Sequence, residues 1–256
     1  MIAPGPEAMA RIGAVALREA GLAIGYRKAN MVHARLRVRL RELGNLGYAD
    51  YCTLLEDRGD RGRSERTHLV EALTTQVGDA FREPHHFDLL VEHVASLRAD
   101  APGRRIRLWS AGCAEGAEPI SMAAALDAAS VCPPDAVAIL GTDVSPRAVT
   151  RGRARLASGS DRLRASWVER ISLEVGNLLE PPPPGPFDAI FCRNVTIYFD
   201  PAVASAVQGR LIASLAPDGI YCIGHSERLM PTPTCRHLAR IGQTAWRAAR
   251  PDTPCP

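Results

Sequence analysis

The first candidate for chemistry is a glycine turn in the segment Leu108-Trp-Ser-Ala-Gly-Cys-Ala-Glu-Gly-Ala-Glu-Pro119, between a predicted strand and a predicted helix. Gly112 and Gly116 would let the backbone approach a ligand at the carboxyl edge of a sheet. The next predicted strand ends in Gly141-Thr-Asp143. An acidic side chain at that place can accept both hydroxyls of a ribose. Together these features predict a site for an adenosine cofactor, with or without phosphates.

These two features leave the class of enzyme open. The turn lacks the Gly-x-Gly-x-x-Gly pattern that cradles a pyrophosphate, which disfavours a dinucleotide-dependent enzyme without excluding it. An S-adenosylmethionine-dependent methyltransferase is the alternative, and it fits the residues better.

Alternating strands and helices must position the turn and Asp143. The hydrophobic pattern predicts strands at Ile106–Ser110, Val137–Gly141 (running on to Asp143), Ile171–Val175, Phe187–Cys192 and Ile220–Gly224, and helices at Phe87–Leu97, Glu118–Ala129, Pro146–Leu156 and Val203–Leu215. Pro217-Asp-Gly219 is interpreted as the stop signal of the last helix, and Cys235–Ala248 as a closing antiparallel hairpin. This alternation predicts an α/β, doubly wound sheet.

Residues 8–75 form a second region, which is predicted to be helical and poor in strands. Within Ala29–Leu43, apolar residues recur at three- and four-residue spacing. Helical geometry places Lys28, Arg35 and Arg39 on one stripe beside that apolar face, and Arg37 and Arg41 on the opposite flank. The stripe is either a solvated basic face or a docking surface for an acidic partner. We therefore predict a helical substrate-docking domain at residues 1–75 and a catalytic domain at 76–256.

Composition limits the class of protein. The chain has 256 residues with a net charge of +3, so its charge does not demand a nucleic-acid partner. The seven cysteines include no C-x-x-C pair, which fits a reducing cytosol. No run of 18 apolar residues occurs, so we expect no membrane insertion. We also expect the protein to be cytoplasmic and monomeric. His85, His86 and His93 have the wrong spacing for a shared metal site and no acidic ligand joins them, so no metal is expected.

Four longer segments carry a resemblance. They read TTQVGDAFREPHHF at 74–87, SAGCAEGAEP at 110–119, GPFDAIFCRNVTIYF at 185–199 and PDGIYCIGHSE at 217–227. They resemble the segments TTNxTxFFRxxxHF, SAGCSTGEEP, GPFDxIFCRNVxIYF and PGGxLxxGHSE of the CheR family of chemoreceptor methyltransferases. The likeness reaches back to Tyr26–Leu55 and so covers most of the chain.

The resemblance implies methyl transfer from S-adenosylmethionine to glutamate side chains of methyl-accepting chemotaxis receptors, with S-adenosylhomocysteine as the product. It implies a Rossmann-like class I methyltransferase fold with a small N-terminal all-α domain. By position in the motifs, Glu118 would hold the methionine ammonium group and Asp143 the ribose. Asn177 and Leu178 would flank the adenine, and Arg193 and Asn194 would line the cofactor pocket. Arg82 and Tyr198 match the residues that flank the transferred methyl group.

Each of the last two residues also has a purely structural interpretation. Arg82 could form an ion pair with Glu83 or Asp79, and Tyr198 could be a core aromatic residue.

Among the departures from the family pattern, three substitutions bear most on the prediction, and one stretch also differs in length. Gln76 replaces an Asn and Gly78 a Thr, both at positions that touch the cofactor in the family, and Ala117 replaces the first Glu of GEEP. These departures keep open a catalytically weak, cofactor- or receptor-binding relative. A nucleic-acid methyltransferase is disfavoured, because no base-flipping motif is present. The stretch from Arg151 to Glu174 is too short for the β-subdomain with which longer members grip a receptor's C-terminal peptide.

Overall fold

A computed structural model of the protein describes residues 3–74, 78–159, 161 and 163–249. The chain divides into two compact units, Met1–Thr75 with Tyr198–Val203, and Gln76–Ile197 with Ala204–Pro256. The short segment Tyr198–Val203 therefore clusters with the first unit, although it lies far along the chain.

Four helices make up most of the first unit. They are α1 (Pro6–Ala20), α2 (Ala29–Glu42), α3 (Tyr48–Glu56) and α4 (Asp60–Leu73), and a short 3-10 helix at Tyr26–Lys28 precedes α2. α1 ends at Gly21, which adopts the left-handed conformation that favours glycine at this position. In α2 the buried residues Val32, Leu36 and Leu40 recur every four residues and form its inner face. The helical prediction for this region is confirmed.

A seven-stranded sheet forms the second unit. Its strands are β1 (Ile106–Ala111), β2 (Val137–Asp143), β3 (Ile171–Val175), β4 (Phe187–Cys192), β5 (Leu215–Ile223), β6 (Leu238–Arg240) and β7 (Ala245–Ala248). Their order is β3-β2-β1-β4-β5-β7-β6; the first five are parallel, and β7 is antiparallel to both β5 and β6. The α/β sheet and its closing antiparallel hairpin were both predicted from the sequence, and both are confirmed.

Helices alternate with these strands. They are α5 (His85–Asp100), α6 (Ala117–Ala129), α7 (Pro146–Ser158), α8 (Ala165–Val168) and α9 (Pro201–Ala213), with short 3-10 helices at Pro134–Ala136, Thr196–Tyr198 and Pro233–His237. All six residues of β4 are buried, as expected for a central parallel strand that is covered on both faces. The core joins β4 to the inner faces of α5 and α6 through Phe87, Leu90, Met122 and Phe191.

The predicted boundary between the last large helix and β5 is wrong. The last large helix ends at Ala213 instead of Leu215, and β5 begins at Leu215, before Pro217. The pairing of β5 with β4 shifts register between Phe187 and Ala189, and Asp218 has a positive φ of 65°. The Pro-Asp-Gly sequence therefore forms a bulge within the strand, where a proline that cannot donate to the ladder is tolerated.

The connection between β2 and β3 is short. Its described residues form α7 and α8 and contain no strand. Among the residues that the structure describes, no helix is long and apolar enough to cross a membrane.

Candidate active site

The loops that follow β1, β2, β4 and β5 all leave the sheet at its carboxyl edge. From β1 the chain adds β2 and then β3 on one side, and it crosses from β3 to β4 to add β4 and β5 on the other side. The strand order therefore reverses direction between β1 and β4. Open α/β sheets bind their ligands in the crevice at such a point. This edge is the candidate active site of the second unit.

The glycine turn after β1 is held tightly against its neighbours. Gly112 has a φ of 88°, and a Cβ atom on it would lie 2.4 Å from Cγ2 of Val195. The N–H groups of Gly112 and Cys113 both donate to the carbonyl of Thr142, at 2.8 and 2.9 Å. Gly116, with a φ of 82°, then begins the turn into α6. Both glycines therefore occupy backbone conformations that other residues rarely adopt.

Asp143, at the end of β2, fastens this turn. Its Oδ2 accepts the N–H of Ala114 at 2.8 Å, and its Oδ1 accepts the N–H of Ser145 at 2.9 Å. A carboxylate oxygen has two lone pairs, so it can accept more than one hydrogen bond. The predicted ribose-binding residue therefore lies beside the glycine turn.

Glu118 lies in the first turn of α6, where the helix dipole favours a negative charge. It accepts hydrogen bonds from Oγ of Ser110 at 2.7 Å and from Nη1 of Arg193 at 3.0 Å. Burial raises the pKa of its carboxyl group, while the charge and hydrogen bond of Arg193 and the bond from Ser110 oppose that rise. The side chain is still 18% exposed, so a ligand can reach it.

Arg193 lies behind Glu118, and its side chain is only 2% exposed. Its guanidinium donates to the Glu118 carboxylate and to the backbone carbonyl of Arg82, and it lies 3.5 Å from Oε2 of Glu83. It also packs over the rings of Phe87 and Phe191. Arg193 therefore connects the carboxylate of α6 with the turn that carries Arg82.

The turn from Phe81 to Glu83 presents Arg82. Phe81 and Glu83 both have positive φ angles, of 53° and 54°. Glu83 turns towards His225, accepting from its backbone N–H at 3.2 Å and lying 2.8 Å from its Nδ1. Burial raises the pKa of Glu83, but the bonds from His225 and the charge of Arg193 outweigh it, so the net pKa is lowered.

The structural interpretation of Arg82 as an ion-pair partner is not supported. Its side chain is exposed, and across the described part of the chain its guanidinium forms no ion pair with Glu83 or Asp79. Its role towards an acceptor carboxylate stays a prediction.

Gly78 and Ala117, two of the three departures from the family pattern that bear on the site, lie side by side. A Cβ atom on Gly78 would lie 3.6 Å from Cβ of Ala117, an ordinary van der Waals distance. Gln76, the third departure, lies outside the described residues. The small side chains at 78 and 117 therefore leave space at the start of α6, close to Glu118.

Asn177 and Leu178 follow β3. Oδ1 of Asn177 accepts the N–H of Leu179 at 3.0 Å, and the carbonyl of Leu178 accepts a bond from Arg210 at 2.8 Å. These bonds fix the turn at the carboxyl end of β3. The role of this turn beside the adenine, which the resemblance implies, stays a prediction.

One residue of this edge was missed from the sequence. Glu227, in the loop after β5, accepts hydrogen bonds from the loop after β4, in which Asn194 has a φ of 61°. The Gly-His-Ser-Glu motif was noticed, but a buried carboxylate that accepts from backbone groups leaves no periodic signal in a sequence.

Tyr198 belongs to the first unit, where its carbonyl accepts the N–H of Ala23 at 2.8 Å. Its role beside the transferred methyl group stays a prediction.

Comparison with known proteins gives the family. Residues 76–160 and 154–241 match the model of the CheR methyltransferase SAM-binding domain, and residues 7–74 match the CheR methyltransferase all-alpha domain. A probable chemotaxis protein methyltransferase of Rhizobium etli is 32% identical, over 90% of this chain and 95% of its own length. Chemotaxis protein methyltransferase 2 of Pseudomonas aeruginosa is 34% identical, over 91% of this chain and 89% of its own length.

This chain belongs to the CheR methyltransferase family. It is an S-adenosylmethionine-dependent methyltransferase with the α/β methyltransferase fold and an N-terminal all-α domain. The alternative of a binding module without turnover is not favoured, because these relatives are named as methyltransferases.

The site fits the CheR cofactor in its geometry. The positive-φ glycines 112 and 116 leave no side chain at two positions of the turn. Asp143 binds the backbone of this turn at Ala114, and Glu118 lies in the first turn of the helix that follows it. Burial raises the pKa of the Cys113 and Cys192 thiols, so both stay protonated near neutral pH and neither is an activated nucleophile.

The prediction that no acidic ligand joins the histidines is wrong. Glu83, His85 and His86 each place one possible ligand atom within 4.8 Å of the others. His93 is separate, and its Nε2 bonds to the backbone carbonyl of Asp188 at 3.1 Å. Burial and the nearby Arg193 lower the pKa of His86 to about 4, so its ring is neutral at pH 7.

The basic stripe of the first CheR unit is mostly engaged within that unit. Arg39 binds the buried carboxylate of Glu65, with its shortest contact at 2.6 Å. Arg35 donates to the carbonyls of Ala72 and Thr74 at the end of α4, and Lys28 donates to the carbonyl of Ala23. Arg39 therefore has a structural role, whereas Lys28 and Arg35 are exposed. Whether the stripe is a solvated face or a docking surface stays a prediction.

Proposed function

We propose that this protein transfers methyl groups from S-adenosylmethionine to glutamate side chains of chemotaxis receptors, forming glutamate methyl esters. The observation that carries the proposal is the exposed Arg82 guanidinium, on a turn joined through Arg193 to the Glu118 carboxylate. The names of the relatives support chemoreceptors as the substrate. We place the reaction in the cytoplasm, which the free thiols of the six described cysteines support.

The cofactor would supply an electrophilic methyl group on a sulfonium. Glu118, whose side chain is partly exposed, would hold the methionine ammonium group, while the hydrogen bond from Arg193 keeps its carboxylate in place. Asp143 would accept the ribose hydroxyls while its bonds to Ala114 and Ser145 keep the carboxylate fixed. The turn at Asn177 and Leu178 would flank the adenine, and Asn194 would line the same pocket.

The acceptor needs positioning more than activation. A glutamate side chain is ionised near neutral pH, so its conversion to a methyl ester requires no general base. It is a weak nucleophile in water, and the site must align it with the methyl group and remove solvent. Arg82 would hold one carboxylate through its planar fork of donors, and Tyr198 would offer a ring face and a hydroxyl near the sulfonium.

Recognition of the receptor would use the exposed face of α2. Because Arg39 is bound to Glu65, the accessible cations on this helix are Arg35, Arg37 and Arg41, next to the half-exposed Val38. This combination of positive charge and apolar surface suits an acidic, helical partner such as the methylation region of a receptor bundle.

A charge-reversal experiment tests this surface. Arg37→Glu with Arg41→Glu should slow receptor methylation, most strongly at low salt, and should leave the affinity for S-adenosylhomocysteine unchanged. Arg58→Glu with Arg61→Glu makes the same charge change at exposed positions of the first unit and serves as the control. Equal losses in both double variants would show that net charge matters and α2 does not.

The short connection between β2 and β3 suggests how receptors are held. The described residues of this connection form only α7 and α8 and include no strand that could take up a receptor's C-terminal peptide by edge addition. We therefore propose that tail-less receptors are methylated as well as tailed ones. A large loss of rate when the C-terminal peptide is removed, in a mixture of only enzyme and receptor, would contradict this.

The proposed reaction is tested with labelled S-adenosylmethionine and a purified cytoplasmic receptor fragment. We expect label in the receptor that is released as methanol by mild base, the behaviour of a carboxyl ester. Label that survives base would indicate methylation of nitrogen, and its absence with every receptor of the source organism would reject a chemoreceptor substrate.

A further inference from the structure

We propose that Glu227 is a positioning residue of the active site, whose carboxylate fixes the loop after β4 so that Asn194 and Arg193 reach their places. The inference rests on the proposed cofactor site at the carboxyl edge and adds to it a residue that contacts neither cofactor nor acceptor.

The environment of Glu227 is built to hold an anion. Its Oε1 accepts the N–H groups of Val195 and Thr196 at 2.9 and 2.7 Å and the Thr196 hydroxyl at 2.8 Å. Its Oε2 accepts the N–H groups of Asn194 and Gly224 at 2.7 and 2.6 Å. The residue is buried, so these donors replace most of the water that the carboxylate would otherwise bind. Hydrogen bonds to an ionised group at such distances are the strong class in proteins.

The loop that Glu227 holds has irregular backbone up to the short 3-10 helix at Thr196–Tyr198. Asn194 has a left-handed φ of 61°, and consecutive N–H groups from 194 to 196 converge on one carboxylate instead of pairing in a ladder. Three neighbouring N–H groups that point to one place need a counter-charge there. Glu227 supplies it from the loop that follows the adjacent strand, β5.

The same loop packs directly against the cofactor turn. Val195 fills the space that a side chain on Gly112 would need, and Asn194 packs against Gly224. Arg193, which precedes Asn194, donates hydrogen bonds to the Glu118 carboxylate and to the carbonyl of Arg82. Moving this loop would therefore shift the glycine turn, the Glu118 carboxylate and the Arg82 turn together, which a remote structural residue could not do.

The test compares Glu227→Gln with Asp188→Asn. Asp188 is a matched control: it is also a buried carboxylate, it accepts the N–H of Arg107 at 2.8 Å and pairs with Arg104, and it lies at the opposite, amino end of β4. Glutamine keeps the shape of Glu227, but it loses the charge and turns an NH2 group towards N–H donors. Its S-adenosylhomocysteine affinity, measured by calorimetry, should fall about tenfold or more, whereas Asp188→Asn should lower the melting temperature comparably and change affinity by less than about twofold.

A spectroscopic readout separates positioning from general destabilisation. In amide-resolved NMR spectra, the amide protons of Asn194, Thr196 and Gly224 should move upfield in Glu227→Gln, because their short bonds to an anion are weakened. Those amides should stay in place in Asp188→Asn. Unchanged affinity in Glu227→Gln, or equal affinity losses in the two variants, would overturn the inference.

A second variant covers the case in which Glu227→Gln does not fold. Glu227→Asp keeps the charge but withdraws the carboxylate by one methylene, so it should fold and bind S-adenosylhomocysteine more weakly than the parent; parental affinity would overturn the inference. Failure of the parent protein itself to bind S-adenosylhomocysteine would instead reject the proposed cofactor site, so the two failures are distinguishable.

Discussion

Arg193→Met should make cofactor binding depend on pH. Burial raises the pKa of the Glu118 carboxyl, and Arg193 opposes that rise through its charge and a 3.0 Å hydrogen bond. Methionine keeps much of the apolar volume between Phe87 and Phe191 but removes the charge. The pKa of Glu118 then rises further, and the protonated acid no longer offers a charge to the methionine ammonium group.

The size of the effect follows from the lost charge. A hydrogen bond to a charged group contributes about 1.5–3 kcal/mol, which corresponds to about 10- to 150-fold in affinity. Because deprotonation restores the carboxylate, the variant should bind S-adenosylhomocysteine more tightly as the pH rises, relative to the parent protein at each pH. Breaking a buried ion pair should also cost about 3–5 kcal/mol of folding stability.

Calorimetric titration with S-adenosylhomocysteine between pH 6 and 8.5 measures this. Arg104→Met breaks the ion pair with buried Asp188 at the far end of β4 and controls for lost stability. A folded Arg193→Met variant with parental affinity at pH 7, or one whose relative affinity does not change with pH, would refute the role of the Glu118–Arg193 pair in binding.

Three further predictions concern single residues. Asp143→Ala should weaken S-adenosylhomocysteine binding by about 1–3 kcal/mol, because it removes the ribose acceptor and leaves the N–H groups of Ala114 and Ser145 unpaired; calorimetry that finds unchanged affinity would remove Asp143 from the site. Arg82→Lys should lower the turnover number more than the cofactor affinity, since lysine keeps the charge but not the planar fork, and parental turnover in receptor methylation would show that no fork is needed. His86 has a pKa of about 4 in the folded protein against 6.5 ordinarily, so the unfolded chain takes up a proton first as the pH falls. Its contribution should therefore lower the free energy of unfolding between pH 6.5 and 4, by about 3 kcal/mol in all, and have no effect above that window. Urea denaturation of the parent and His86→Gln at pH 7.5 and 4.5 measures it, and identical pH dependence in both would contradict the assignment.

Patterned features of the fold could be predicted from the sequence. The mostly apolar run of β4 predicts a strand that is buried on two faces. The four-residue spacing of Val32, Leu36 and Leu40 predicts a helix that is buried on one face. The Pro-Asp-Gly bulge of β5 was misread as a helix stop, since the same residues punctuate both structures and only the neighbouring strand decides between them.

The candidate site was only partly accessible from the sequence. Gly112, Gly116 and Asp143 stand at strand ends, so their meeting at one edge follows from the topology. Three other contacts could not be predicted. Arg39 with Glu65 and Glu83 with His225 join residues that lie 26 and 142 positions apart. The donors around Glu227 are mostly backbone groups, which have no side-chain signature. Such contacts depend on tertiary packing, which spacing along a chain does not encode.

The most direct test of the central claim is mass spectrometry of a receptor fragment after incubation with the purified enzyme and S-adenosylmethionine. We predict a gain of one methylene mass on peptides from the receptor's helical bundle, located on glutamate side chains, lost on mild base treatment and strongly reduced with Asp143→Ala. A methyl group found on lysine, arginine or a chain terminus, or a yield that is equal in the Asp143→Ala variant, would contradict the account.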